Sequence, residues 1–127
     1  MKTVLALLTS ALALLALSAN ASESPFNAAT LDRLLAAGEP VAVVFHADWC
    51  PTCRAQAPIL KELSATRDLA KLTLLIADYD TELALRKSMH VATQSTIVVF
   101  SRDKEIARST GDTTRDGLNA LLHKAMS

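Results

Sequence analysis

Cys50 and Cys53 are the only cysteines in the chain, separated by Pro51 and Thr52. A hydrophobic run, Val41 to Phe45, lies just before them, and Pro51 suits the first turn of a helix, where its missing N–H costs nothing. Cys50 is therefore predicted at a helix N-terminus. Unpaired N–H groups and the helix dipole stabilise an anion there. A thiolate so placed has a lowered pKa, and the thiolate is the attacking species. Cys53, one turn later, falls on the same helix face. From there it can attack a mixed disulfide made by Cys50 and release the product. The small ring of an oxidised pair is expected to be exposed enough to open reversibly.

Other uses of the pair are weaker. Two thiols cannot complete a four-ligand zinc site. As an inert crosslink, so short a loop would stabilise a fold little. A soft-metal or shared-cluster site built from the pair, for example across a dimer, remains the alternative from another class. A redox-inactive chaperone is the third.

The elements that position this pair follow from periodicity. Asn27 can cap a helix through Leu31, Leu34 and Leu35, stopped by Gly38. Val41 to Phe45, Leu72 to Ala77 and Thr96 to Phe100 are runs apolar on both faces, as in central strands covered by helices on both sides. The helix from Pro51 carries Ile59, Leu60 and Leu63, and Pro58 inside it predicts a kink. Asp80 or Thr81 is expected to cap a helix carrying Leu83, Leu85 and Met89. Glu105 to Ser109 alternates like a half-exposed strand, Gly111 ends it, and Thr113 or Thr114 is expected to cap the last helix. Ser22 to Pro25 reads as a mobile lead-in, with room for a short strand at Pro25-Phe26. The class is α/β, with parallel pairing early and an antiparallel hairpin late.

Residues 1–21 read as a signal peptide: Lys2, then an apolar run from Val4 to Leu17, then Ala19-Asn20-Ala21. The run is shorter than the roughly 20 residues of a spanning helix. Residues 22–127 then form one domain, expected to be periplasmic or secreted after cleavage near Ala21. The whole chain has 13 basic and 13 acidic residues, 50% hydrophobic and 20% charged. That balance lacks the basic footprint of a nucleic-acid binder or of a membrane-surface helix.

The string Phe45-His46-Ala47-Asp48-Trp49-Cys50-Pro51-Thr52-Cys53, continuing to Ala57-Pro58, resembles the thioredoxin family. That family reads aromatic-x-Ala-x-Trp-Cys-x-x-Cys, with a proline five residues after the second cysteine. Asp78-Tyr79-Asp80 and Gly111 match further family positions. The resemblance implies the thioredoxin fold, a central mixed sheet of four to five strands flanked by about four helices. It also implies Cys50 as nucleophile, Cys53 as resolving thiol and Trp49 as the aromatic wall of the site, with Pro51 and Thr52 between the cysteines.

Departures from the family mark where this chain differs. Ser95, in Gln94-Ser95-Thr96, stands where the family has a cis-proline. A non-proline cis bond costs roughly 2.5–4 kcal/mol, so Ser95 is expected to be trans or strained. Gln94, Ser95 and Thr96 are taken as site-lining; a hydroxyl in place of a ring could hydrogen-bond a thiolate or make room for a ligand. Val44 replaces the family's buried Asp, and Ile76 the lysine that pairs with it. His46 shares the sheet face of Val44 and becomes a candidate to stabilise the thiolate or carry a proton. The expected activity is thiol–disulfide exchange, more reductive than oxidative, without a cofactor. Its partners would be protein disulfides and a membrane thiol donor, with no nucleic acid, and the protein is expected to be a monomer.

Overall fold

The computed structural model describes residues 22–127; the signal-peptide reading lies outside the described residues. The strands are β1 (Ser22–Pro25), β2 (Val41–His46), β3 (Thr73–Asp78), β4 (Thr96–Ser101) and β5 (Lys104–Thr110). The helices are α1 (Ala28–Ala36), α2 (Pro51–Ser64), α3 (Leu83–Ser88) and α4 (Arg115–His123). The strands form one sheet in the order β1-β3-β2-β4-β5. β1 and β2 flank β3 in parallel, whereas β4 is antiparallel to both β2 and β5.

Strand alternation sends successive side chains to opposite faces, and this divides the core. Val41, Val43 and Phe45 of β2 pack with Val98 and Phe100 of β4 against Leu31 and Leu34 of α1 and Leu85 of α3. Ala42 and Val44 pack with Leu74, Ile97 and Val99 against Leu60 and Leu63 of α2 and Leu118, Leu121 and Leu122 of α4. Each fully buried leucine, such as Leu60, Leu74 or Leu118, contributes about 1.5–3 kcal/mol relative to exposure.

Two caps follow the sequence directly. The Asn27 side chain accepts from Thr30 N at 3.0 Å, and Thr114 Oγ1 accepts from Gly117 N at 3.2 Å. Gly38 and Gly111 close their elements with φ of 69° and 80°, the left-handed region where a Cβ is costly.

Two expectations need correction. Ser22 to Pro25 is not a mobile lead-in. It is the edge strand β1, in register with Thr73 to Ile76, because β3 offers an unpaired parallel edge that backbone hydrogen bonds satisfy. Neither Asp80 nor Thr81 caps α3. Glu82 holds the N-cap position without a side-chain bond, and the Asp80 carboxylate is engaged by Trp49.

Candidate active site

The cysteine pair sits where β2 hands over to α2. Cys50 is the N-cap residue, with φ −88° and ψ 116°, and its sulfur accepts from Cys53 N at 3.3 Å. The sulfur thus fills the place a Ser or Asp oxygen usually takes at a helix N-terminus. Pro51 is the first helical residue and exposed, Thr52 is half-buried, and Cys53 faces inward. Pro58 lies within α2, which runs on past it to Ser64.

Both cysteines are free thiols. The expected exposure is corrected: Cys50 is 2% and Cys53 1% accessible, because Ala47 and Tyr79 pack around them and Ser95 closes over both sulfurs.

Ser95 is the centre of the arrangement. Its Oγ is 2.9 Å from Cys53 Sγ and 3.4 Å from Cys50 Sγ. The residue has φ 63°, and no described peptide bond is cis. A non-glycine residue in that region is strained and persists only when its surroundings hold it. They do so here through three main-chain contacts. Ser95 N donates to Phe45 O at 2.9 Å, Gly111 N donates to Ser95 O at 3.1 Å, and Gln56 Nε2 donates to the same carbonyl at 3.3 Å. Gln56 is 1% exposed and also donates to Asp112 O at 2.8 Å.

These contacts separate the two thiols. The Ser95 hydroxyl, chiefly, lowers the Cys50 pKa to about 6; burial opposes this, and the Cys53 N–H and the side chains of Cys53 and Gln94 reinforce it. Burial, first, pushes the Cys53 thiol up, and its neighbour Cys50 adds to that. One sulfur is prepared as an anion and the other as a thiol.

The other sequence candidates fall at varying distances from this chemistry. Gln94 is half-buried beside Ser95. Thr96 is buried, but its hydroxyl donates to Thr93 O at 2.7 Å and meets Thr110 Oγ1 at 2.8 Å, turned from the sulfurs. His46 Nε2 lies 2.9 Å from Asp48 Oδ1 of a fully exposed carboxylate and makes no bond to either cysteine. His46 and Cys53 do share the lining of a cavity of about 110 Å³ with Val44, Gln56, Ile76 and Glu23. Trp49 is 56% exposed, and its Nε1 donates to Asp80 Oδ2 at 2.7 Å.

Two supporting residues escaped the sequence reading. Gln56 looked like an ordinary polar residue of an amphipathic helix. Tyr79 packs on the cysteines and is itself held by Ala92 O at 2.9 Å and by Arg86, whose guanidinium lies 3.7 Å from the ring centroid. Its signals were its position one residue beyond a buried strand and its place in the family-like string Asp78-Tyr79-Asp80. Among the described residues, no group of three or more His, Cys, Asp or Glu is gathered to hold a metal ion, so the metal-binding alternative finds no support there.

Known proteins share this architecture. The sequence model of the thioredoxin family matches residues 22–124. Thioredoxin of Chlamydia trachomatis serovar D is 32% identical over 84 residues, covering 66% of this chain and 80% of that protein. Thioredoxin of Mycobacterium bovis is 32% identical over 91 residues, covering 72% of this chain and 75% of that protein. The crystal structure of Trxlp from Edwardsiella tarda EIB202 is 33% identical with a TM-score of 0.78, covering 80% of this chain and 98% of that one. The five-stranded mixed sheet, the cysteine pair at the head of α2 and a family match spanning nearly every described residue agree: the chain belongs to the thioredoxin family, and its chemistry is thiol–disulfide exchange.

Proposed function

We propose that this chain is an exported thiol–disulfide oxidoreductase in which Cys50 attacks a substrate disulfide and Cys53 resolves the mixed disulfide. The carrying observation is the unequal pair: Cys50, at the helix N-terminus with its pKa lowered to about 6 by the Ser95 hydroxyl first, and Cys53, held as a thiol by burial. At neutral pH the first is the nucleophile and the second waits. The exposed face of Trp49 beside Cys50 is the surface against which a protein disulfide is laid.

The working direction is reductive, toward protein disulfides; relatives named thioredoxin support thiol–disulfide exchange itself. Disulfides persist outside the cytoplasm, so a reductant there needs an electron source, and a membrane thiol donor would supply it. The protein acts as a monomer after cleavage near Ala21, in the periplasm or outside the cell.

The reduction potential of the Cys50–Cys53 pair, equilibrated against defined thiol buffers, tests this reading. The expected value lies nearer about −270 mV, that of thioredoxins, than about −120 mV, that of a disulfide-introducing oxidant. The lowered Cys50 pKa stabilises the dithiol form and draws the value upward within that range. A value at the oxidising end overturns the reductive direction. A pair that does not cycle overturns the assigned cysteine roles. Mass analysis of protein from the periplasmic fraction is expected to show a chain beginning at Ser22.

A further inference from the structure

Resolution of a mixed disulfide poses a proton problem at Cys53. Its thiol is pushed up by burial, yet it must lose its proton to attack. The surroundings offer few bases. Val44 and Ile76 line the cavity beside it and are apolar, and Gln56 is neutral. His46 is paired with Asp48, and Glu23, which lines the same cavity, is an exposed residue of the edge strand with no hydrogen bond to either sulfur. The Tyr79 hydroxyl is occupied by Ala92 O and Arg86. Among the described residues, one side-chain hydroxyl is hydrogen-bonded to the reacting sulfurs, and it reaches both: Ser95 Oγ.

We propose that Ser95 is a catalytic residue, its hydroxyl relaying the Cys53 proton to the sulfur that departs from Cys50. This rests on the roles assigned to Cys50 and Cys53 above. A hydroxyl can accept one proton while donating another, so it suits a relay between two sulfurs. In the first step the Cys50 thiolate bonds one substrate sulfur, and the other leaves as a thiolate that takes a proton from water. In the second step Cys53 Sγ bonds Cys50 Sγ, and the bond from Cys50 to the substrate sulfur breaks. The electron pair stays on the departing sulfur. The Cys53 proton passes to Ser95 Oγ as the Ser95 hydroxyl proton passes, through one bridging water, to that sulfur. Two protein thiols become a disulfide, the substrate disulfide becomes two thiols, and Ser95 ends as a neutral hydroxyl.

In a mixed disulfide the departing sulfur lies about 2.05 Å from Cys50 Sγ. In-line attack places it on the side of Cys50 away from Cys53. One water therefore bridges it to the Ser95 hydroxyl, which stands 3.4 Å from Cys50 Sγ. The strained main chain supports the reading. Three hydrogen bonds hold Ser95 at φ 63°, which fixes where the hydroxyl stands.

The test separates the relay from a structural role by the leaving group. Reduced protein is mixed with bis(2-hydroxyethyl) disulfide or with 5,5′-dithiobis(2-nitrobenzoate), and decay of the mixed disulfide is followed by acid quench and mass analysis. An alkyl thiol needs a proton to leave well, whereas the aryl thiol departs readily as an anion. Ser95→Ala removes only the hydroxyl, and Ser95→Gly, which loses the Cβ as well, suits the left-handed backbone. The expected result in both is a loss of about 10²-fold in the second step with the alkyl reagent. With the aryl reagent the expected loss stays below about 10-fold, since one of the two proton transfers is no longer needed. Equal loss with both reagents, or loss with neither, overturns the relay. If the wild-type protein forms no mixed disulfide with either reagent, the cysteine roles fall and the relay falls with them.

Discussion

The side chain of Gln56, buried in α2, donates from Nε2 to the carbonyl of Ser95 at 3.3 Å and to that of Asp112 at 2.8 Å. One amide thus joins the helix that carries the cysteines to the strained residue over them and to the loop that leads into α4.

Replacing this amide is expected to cost stability. In Gln56→Ala the Ser95 carbonyl keeps its bond from Gly111 N, but the Asp112 carbonyl loses the bond Gln56 gave it. Stability to urea is expected to fall by about 1–3 kcal/mol. The Cys50 pKa is expected to rise in the same variant, because Ser95 is less firmly held. Thiolate absorbance against pH checks that second effect.

The pH dependence of the nucleophile follows from its lowered pKa. Alkylation of Cys50 by iodoacetamide is expected to rise through a midpoint near pH 6 and level off well below the ordinary thiol value of 9.0. Since the folded pKa lies below the unfolded one, Cys50 adds stability to the reduced protein that is complete above about pH 9 and is lost as pH falls through about 6. The raised pKa of Cys53 acts in the opposite sense, at higher pH. Ser95→Ala is expected to move the alkylation midpoint upward, because the hydroxyl is the largest cause of the lowering.

Backbone strain at Ser95 gives a prediction about stability alone. Ser95→Ala and Ser95→Gly both lose the hydroxyl, but only glycine is comfortable at φ 63°. The left-handed region costs an L-residue about 1–2 kcal/mol, partly offset by the greater freedom of glycine in the unfolded chain. Urea midpoints are expected to place the glycine variant above the alanine variant by about 0.5–1 kcal/mol.

Restoring an acid beneath the cysteines is expected to be unfavourable in this chain. Val44 is 3% exposed among Leu60, Leu74 and Ile97, and Ile76 rather than a cation lies beside it. Val44→Asp should therefore lose about 2–5 kcal/mol through buried, unpaired polarity. Burial would raise the carboxyl pKa in the folded state, so the folded protein binds more protons than the unfolded one. Stability should then fall as pH rises from about 4. Urea unfolding of the oxidised variant at pH 5 and pH 8 checks this, with the lower stability expected at pH 8.

Much of this protein was legible without its structure, because much of it is local. The apolar runs at Val41, Leu72 and Thr96 are too short for helices and too continuous for exposed strands, and they became β2, β3 and β4. Asn27, Gly38, Pro51 and Thr114 act within a turn of their own position, and each sits at the end of a helix as its chemistry requires. The cysteine pair was readable for the same reason: three residues and a helix start suffice to place both sulfurs.

What the sequence left undecided involves residues far apart in the chain. Ser22 to Pro25 is polar and short, and only the free parallel edge of β3 makes it a strand. Gln56 has the composition of a surface residue, and its burial depends on two carbonyls that approach from the loops before β4 and α4. Asp80 was a plausible cap until Trp49 reached its carboxylate from 31 positions away. Ser95 stood out in the sequence by its departure from the family pattern. That its hydroxyl meets Cys53 at 42 positions and Cys50 at 45 depended on β4 lying antiparallel beside β2. Local propensity and periodicity place elements and their ends, whereas the distance between two side chains dozens of residues apart is decided only when the sheet closes and the core packs.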